Sequence, residues 1–159
     1  FESFRIIVVI GSLNVYEQRM ESNITNEKHK SGLKRNDIIE PELSYEIVGL
    51  LFRVFNELGP GLKEKNYQKA LSVGLSEKNI NFEAQVPIKL EFSGKFIGNY
   101  FADFIIDNKI IVELKTGSQI NRKHALQLNS YLKTTNLKLG MLSYFGKDGV
   151  FFKRILNLY

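Results

Sequence analysis

The sequence predicts an α/β fold, with a central mixed β-sheet flanked by helices and the element order α-α-β-β-β-α-β-β. Three observations lead to this prediction. Apolar residues first recur at three- and four-residue steps, which is typical of one buried face of a helix. From Phe82 they alternate with polar residues, which is typical of a half-buried strand. A further helical stretch then separates the first three strands from the last two.

The first two helices lie on either side of a glycine–proline turn. The first is predicted over about residues 44–58. Its apolar stripe consists of Ile47, Val48, Leu51, Val54, Phe55 and Leu58. Gly59-Pro60-Gly61 ends this helix. The second helix is predicted over about residues 62–78, and its buried side consists of Tyr67, Ala70, Leu71 and Leu75.

Three strands follow. The first covers residues 82–92 and contains Pro87; because proline has no backbone N–H, this strand is predicted to be bent or to lie at a sheet edge. Residues 100–106 form the second strand. Asp107-Asn108 is predicted to be a two-residue hairpin turn that leads into the third strand, residues 110–115.

The last elements are a helix and two strands. The helix is predicted over about residues 120–134 and is buried through Ala125, Leu128 and Leu132. The strands are predicted over residues 137–145 and 150–156.

The chain divides into a domain and an extension. Residues 37–159 form one domain, whereas residues 1–36 are interpreted as an N-terminal extension or polar linker without a core of its own. Residues 21–36 are polar and mixed in charge, a composition compatible with disorder. Since the chain starts with Phe1, we interpret the start as a fragment boundary or an upstream extension, with Met20 as a candidate start.

Composition excludes several classes of site. The chain has no cysteine, which excludes disulfides, thiolate zinc sites, iron–sulphur clusters and a cysteine nucleophile. His29 and His124 are too far apart for a typical histidine zinc site, and His124 is expected on a helix surface. Any metal would therefore be held by carboxylates, which favours Mg²⁺ or Mn²⁺. Absence of cysteine suits a cytoplasmic location. No stretch reaches the ~18 apolar residues that span a bilayer, so no membrane partner is expected.

Two carboxylates and a lysine converge on the predicted hairpin. Asp103 lies in an otherwise apolar strand, and the turn folds it back toward Glu113. Glu113 and Lys115 share one face of their strand because side chains alternate. A divalent cation between the carboxylates would offset the cost of burying them, and Lys115 would orient or help deprotonate a metal-bound water. The alternative interpretation is a surface salt bridge in which Lys115 pairs with either carboxylate.

The wider pattern resembles the PD-(D/E)xK nuclease superfamily. The resemblance consists of an Asp followed by Glu-x-Lys on a hairpin, a helical Glu before them and a helix with Gln after them. More narrowly, Gly61-Leu62-Lys63-Glu64-Lys65-Asn66-Tyr67 matches the signature of the GxxExxY family within it, and residues 41–45, 55–61 and 127–132 are similar to that family too. The resemblance covers residue 36 to the C terminus and implies a restriction-endonuclease-like core.

The resemblance implies a set of metal ligands. Asp103 and Glu113 correspond to the primary ligands, and the Leu114 carbonyl is a common additional one. Glu64 corresponds to the helical acid that approaches the metal directly or through water.

It also implies residues that act beside the metal. Lys115 corresponds to the residue that positions or activates the attacking water. Gln127 and Tyr131 correspond to the motif that lines the site from the following helix, and their spacing of four places them on one helix face. Ala102 departs from the Pro of the superfamily's name. Tyr67 lies on the buried stripe of its helix and is either a core residue or a site residue.

These observations predict a metal-dependent, nuclease-like hydrolase that uses Mg²⁺ or Mn²⁺ to cleave phosphodiester bonds, in DNA rather than RNA. The net charge of +5 is compatible with a polyanionic partner but weakly specific. Two alternatives remain open: a non-catalytic nucleic-acid-binding module of the same fold, and a small interaction domain with a structural acidic cluster. A homodimer would suit an enzyme that cuts duplexes, and an unidentified protein partner could supply specificity, but no segment indicates an interface.

Overall fold

The structure is a computed structural model and describes residues 6–10, 39–117 and 121–157, the first of these segments through its backbone alone. Three helices and six strands follow one another along these residues. In chain order they are β1 (Ile6–Ile10), α1 (Pro41–Leu58), α2 (Glu64–Glu77), β2 (Phe82–Phe92), β3 (Lys95–Ile106), β4 (Ile110–Thr116), α3 (Arg122–Thr135), β5 (Leu139–Phe145) and β6 (Val150–Leu156). Within the described ranges, no helix combines the length and the apolarity that crossing a bilayer requires.

The strands form one mixed sheet in the order β1-β6-β5-β4-β3-β2. β4 and β5 are parallel, because α3 carries the chain from the end of β4 back to the start of β5. The other neighbouring pairs are antiparallel. The predicted fold class is therefore confirmed, and the order α-α-β-β-β-α-β-β runs from α1 to β6.

Apolar clusters cover both faces of the sheet. On one face α1 and α2 pack through Leu51 and Leu71 against Val112 of β4. On the other face α3 packs through Leu128 against Ile111 of β4. Because β4 is covered on both sides, its sequence is an almost continuous apolar run. A charged residue near its end is therefore buried. Alternation along β4 places Glu113 on the α3 face, two residues after Ile111.

The hairpin that carries Asp103 extends beyond the sheet. β2 lies at the sheet edge, as the presence of Pro87 predicts. β3 pairs with β4 only from Phe104 to Ile106, so the outer half of the β2–β3 hairpin has no other described strand beside it. Val86, Ile88 and Leu90 are nevertheless buried or half-buried and alternate with exposed residues, whereas Phe92 is 73% exposed. The predicted half-buried alternation therefore holds from Val86 to Leu90 and is wrong at Ala84 and Phe92, which are exposed.

The turn between β3 and β4 has the predicted geometry. Asp107 and Asn108 have φ values of 50° and 53°, and the Lys109 amide donates to the Ile106 carbonyl at 3.0 Å. Positive φ at both central residues is the requirement of the two-residue turn that follows the twist of the strands, and Asp and Asn tolerate it. This tight turn sets the register of β3 against β4.

β1 is a strand that the sequence analysis does not predict. Ile6–Ile10 pairs antiparallel with β6 and forms the second edge of the sheet. Its sequence is a five-residue apolar run, which by periodicity alone does not distinguish a strand from another buried segment. Residues 11–38, most of the predicted extension, lie outside the described residues, so the division of the chain at residue 36 stays a prediction.

Candidate active site

The site begins where the backbone pairing of β3 with β4 stops. That pairing runs from Ile106 to Phe104 and does not continue to Asp103. Side chains replace it: the Asp103 amide donates to Glu113 Oε1 at 3.1 Å, and the Leu114 amide donates to Asp103 Oδ2 at 2.8 Å. Each carboxylate is thus fixed by the backbone of the other strand's end, which satisfies N–H groups that the sheet leaves unpaired.

Both carboxylates are buried. Asp103 is 7% exposed and Glu113 is 5% exposed. Burial, followed by the charge of Asp103, raises the pKa of Glu113 to about 7. The pair is therefore held at close range although its like charges repel, and a positive charge between or beside the two carboxylates would be strongly favoured.

Lys115 supplies one positive charge, and it connects Glu113 to Glu64. Its Nζ lies 3.5 Å from Glu113 Oε2 and 3.5 Å from Glu64 Oε1. Burial lowers the pKa of Lys115, but the charges of neighbouring carboxylates, Glu113 first among them, outweigh burial and raise the pKa above its ordinary value of 10.5. Lys115 is thus a charged ammonium at neutral pH. Glu64 reaches this position because it is the first residue of α2.

Gln127 and Tyr131 face the site from α3. Gln127 Nε2 donates to the Tyr131 hydroxyl at 2.6 Å, which the one-turn spacing along the helix allows. Tyr131 is 1% exposed, and its ring lies 5.7 Å from the ring of Tyr100. Burial and the nearby charge of Glu113 raise the pKa of Tyr131 to about 12, so it remains a neutral hydroxyl close to the carboxylates.

The donor set fits a divalent cation through two carboxylates. Asp103 and Glu113 offer hard oxygen ligands of the kind that Mg²⁺ and Mn²⁺ prefer. Within residues 39–117 and 121–157, no group of three or more His, Asp or Glu side chains is placed to hold a metal ion. Glu64 instead pairs with Lys115. The structure shows Leu114 contributing its amide, and the ligand role of its carbonyl stays a prediction.

The structure places two further groups near the site. Gln85 of β2 donates from Nε2 to Asp103 Oδ1 at 3.2 Å. His124 Nδ1 lies 2.7 Å from the Tyr144 hydroxyl, which also accepts the Asn121 amide at 3.0 Å. Sequence reasoning missed Gln85 because an outward-facing polar residue in an edge strand carries no signal. It placed His124 on the surface of its helix, whereas the imidazole is half-buried against Tyr144.

A cleft opens at the C-terminal end of β4, on the side of the sheet that α1 and α2 cover. Its volume is about 480 Å³, and its walls include Leu62, Thr116, Phe145 and Lys147. Thr116 directly follows Lys115 in β4, and Leu62 precedes Glu64 by two residues. Because side chains alternate along β4, Thr116 in the wall of this cleft is on the opposite face of the strand from Glu113 and Lys115.

Tyr67 is a core residue of α2 that fixes the loop leading to Glu64. Its side chain is 1% exposed and its ring stacks on Phe145 with 4.1 Å between centroids. The hydroxyl donates to the Gly59 carbonyl at 2.7 Å and accepts the Leu62 amide at 3.2 Å. Because its hydroxyl bonds the backbone of the loop between α1 and α2, Tyr67 is a core residue that shapes the approach of α2 to the site.

A family model described as the PD-(D/E)XK nuclease superfamily matches residues 41–155. The match spans most of the chain, and the chain belongs to that superfamily. No curated protein matches the sequence. Among solved structures, one described as "Crystal structure of SSO0001" is similar over 91% of this chain and 78% of that chain, with 22% identity and a TM-score of 0.40. That similarity is too distant to bear on the fold or the function.

Proposed function

We propose that this protein is a divalent-metal-dependent nuclease, a phosphodiester hydrolase that cleaves DNA in preference to RNA. A nucleic-acid substrate and divalent metals are typical of its superfamily. The observation that carries the proposal is the reciprocal fixation of two buried carboxylates, Asp103 and Glu113, beside a charged lysine. A salt bridge on a solvent face would leave these groups exposed, whereas here the two acids are 7% and 5% exposed.

The proposed chemistry divides between the ion and the side chains. Mg²⁺ or Mn²⁺ held by Asp103 and Glu113, with the Leu114 carbonyl as a further proposed ligand, would supply an acidified water and offset charge on the phosphate. Lys115 places an ammonium where it attracts the scissile phosphate and orients the nucleophile. Glu64 holds that ammonium in place at 3.5 Å.

The helix and the cleft complete the proposed site. Gln127 and Tyr131 offer neutral hydrogen-bonding groups at its α3 wall, beside Glu113. The cleft at Thr116 lies at the same end of β4 as Lys115, and Lys147 on its wall would meet backbone phosphate of a bound nucleic acid. The net charge of +5 acts in the same direction.

We further propose that the chain falls within the GxxExxY family. Each residue of the signature has a distinct structural task. Gly61 adopts a φ of 89°, which favours glycine, and Glu64 opens α2 beside Lys115. Tyr67 fixes the loop between α1 and α2 through its hydroxyl. The spacing therefore serves one purpose: it delivers Glu64 to the end of β4.

Cleavage assays with purified protein test the proposal. Wild-type protein is incubated with Mg²⁺, Mn²⁺ or EDTA and with single-stranded DNA, duplex DNA or RNA. We expect metal-dependent cleavage that Glu113→Ala and Lys115→Ala each reduce by at least about a hundredfold. Lys109→Ala is the matched control, because Lys109 is an exposed lysine at the opposite end of the same hairpin.

Two outcomes would overturn the assignment. Cleavage that survives both site substitutions would show that the activity belongs to other residues or to a contaminant. Nucleic-acid binding without cleavage, and without heat of Mg²⁺ or Mn²⁺ binding in calorimetry, would identify a non-catalytic binding module instead. A cytoplasmic location, and a homodimer or other protein partner, remain predictions of the sequence.

A further inference from the structure

Gln85 has an unusual backbone conformation for its position. Its φ is 54°, although it lies inside β2. The other described non-glycine residues with positive φ stand at helix ends and turns: Glu40, Asn79, Ser93, Asp107, Asn108 and Asn136. Glutamine is rarely found in this left-handed region, because its Cβ crowds the backbone. Such an outlier persists only where the surrounding structure holds it, and it often marks a functional position.

The outlier lies opposite Asp103 in an unbroken stretch of the β2–β3 register. Ala84 pairs with Phe104 and Val86 pairs with Ala102, so Gln85 and Asp103 face each other between these pairs, although the two are not themselves paired. Phe104 belongs to the apolar cluster under α1 and α2, whereas Ala102 belongs to the cluster under α3. Residues two apart on a regular strand share one face, so the hairpin changes face at this level. The change brings the Gln85 amide onto Asp103.

Asp103 is consequently held from both neighbouring strands. Its Oδ2 accepts the Leu114 amide of β4 at 2.8 Å, and its Oδ1 accepts the Gln85 amide of β2 at 3.2 Å. Each oxygen has one donor, which fixes the rotation of the carboxylate and leaves further lone pairs for a cation. Outer partners of this kind tune metal sites as strongly as some ligands do.

We propose that Gln85 is a positioning residue that orients Asp103 for metal binding, a role that rests on the metal-dependent function proposed above. The strained backbone at Gln85 serves to direct its amide, so strain and function oppose each other at this one residue. A purely structural hydrogen bond predicts the reverse relation: losing the amide would lower stability and leave metal affinity unchanged.

The test is Gln85→Gly, which removes the amide and the backbone strain together. We expect an unfolding midpoint in EDTA that is not lower than that of wild type, a Mn²⁺ dissociation constant raised about ten- to a hundredfold in calorimetry, and a lower kcat with little change in KM for DNA. Ser93→Gly is the matched control, because Ser93 has a φ of 50° in the turn beyond β2. It should relieve strain without weakening Mn²⁺ binding.

Gln85→Asn guards against a folding defect in the glycine variant. Asparagine tolerates a positive φ but is one methylene shorter, so its amide should fall short of Asp103 and Mn²⁺ should bind more weakly. Wild-type Mn²⁺ affinity in both variants would overturn the role of Gln85 while leaving the nuclease proposal standing. Equal weakening in Ser93→Gly would overturn it too. A wild-type protein that binds no Mn²⁺ would instead overturn the proposed function, and the role of Gln85 with it.

Discussion

The Asp103 amide donates to Glu113 Oε1 at 3.1 Å, at the point where β3 and β4 cease to pair through their backbones. If the β3–β4 pairing continued to Asp103, a backbone carbonyl of β4 would accept this hydrogen bond. Here the Glu113 carboxylate accepts it instead. The hydrogen bond therefore draws a charged group into the sheet interior, which a regular strand would exclude. In the same way the Leu114 amide donates to the Asp103 carboxylate, and the two hydrogen bonds together make the two acids a coupled pair.

This pair makes the stability of the metal-free protein depend on pH. The folded-state pKa of Glu113 is about 7, raised from 4.5 by burial and by Asp103. An acid whose pKa is raised on folding stabilises the folded state fully below its unfolded pKa of 4.5. This contribution to the free energy of unfolding is lost as the pH rises through the folded pKa of about 7. In EDTA, the free energy of unfolding of wild type should fall by about 2–3 kcal/mol between pH 5 and pH 8. Glu113→Gln should reduce this fall and be the more stable protein at pH 8.

Urea unfolding at each pH measures the effect, with Glu91→Gln as the control because Glu91 is exposed on β2. A wild-type profile parallel to that of Glu113→Gln would contradict the raised pKa. Added Mn²⁺ should also restore wild type at pH 8, since a cation that binds the ionised pair stabilises the folded state alone.

The elements of the fold follow from local patterns in the sequence. β2 is found at the predicted residues 82–92, and the Asp107-Asn108 turn has the predicted geometry, because periodicity and turn residues act over a few positions. The exposure of Phe92 at the outer end of β2 could not be predicted, since alternation does not reveal whether a covering layer is present. The place of β1 beside β6 depends on pairing across more than 140 residues, which no local pattern encodes.

The sequence predicts the part of the candidate site that consists of charged residues in otherwise apolar strands. Asp103 and Glu113 stand out as charges in apolar strands, and the structure brings them together. Gln85 leaves no such mark, because its contribution depends on a left-handed residue inside a strand. Tyr144 likewise gives no signal in the sequence: it is a core residue, as a tyrosine in an apolar strand indicates, and only the structure shows that its hydroxyl contacts His124.

His124 should report the charge of Lys115. Burial, and next the charges of Lys115 and Lys123, hold the pKa of His124 below its ordinary 6.5. Lys115→Ala removes one of these charges, so the pKa of His124 should rise while remaining under 6.5 because burial persists. NMR titration measures it directly, since the chain has only one other histidine, His29.

His124→Gln assigns the two resonances, and Lys109→Ala serves as the distant control. A wild-type His124 resonance that titrates at 6.5 or above would contradict the burial of the imidazole, and one that does not move in Lys115→Ala would show that the charge of Lys115 does not act on it.

Tyr67→Phe should lower the stability of the fold and leave the proposed metal site intact. The substitution removes the hydroxyl that joins the Gly59 carbonyl to the Leu62 amide, and it keeps the stacking on Phe145. We expect a loss of about 1–2 kcal/mol in the free energy of unfolding and an unchanged Mn²⁺ dissociation constant. Tyr67→Leu, which also loses the stacking, should cost more. A large loss of Mn²⁺ affinity in Tyr67→Phe would place the hydroxyl in the site.

Glu64→Gln separates two roles for the helical acid. Glu64 Oε1 lies 3.5 Å from Lys115 Nζ, and in the described ranges Glu64 does not form a metal-holding cluster with the two buried acids. If Glu64 acts by holding Lys115, Glu64→Gln should lower kcat about ten- to a hundredfold and change the Mn²⁺ dissociation constant by less than about threefold. Glu113→Gln should instead weaken Mn²⁺ binding strongly, because it removes the charge of a proposed ligand. Calorimetry and single-turnover cleavage on both variants decide between the roles: equal weakening of Mn²⁺ binding would make Glu64 a direct ligand, which would require α2 to move toward the carboxylates when the ion binds.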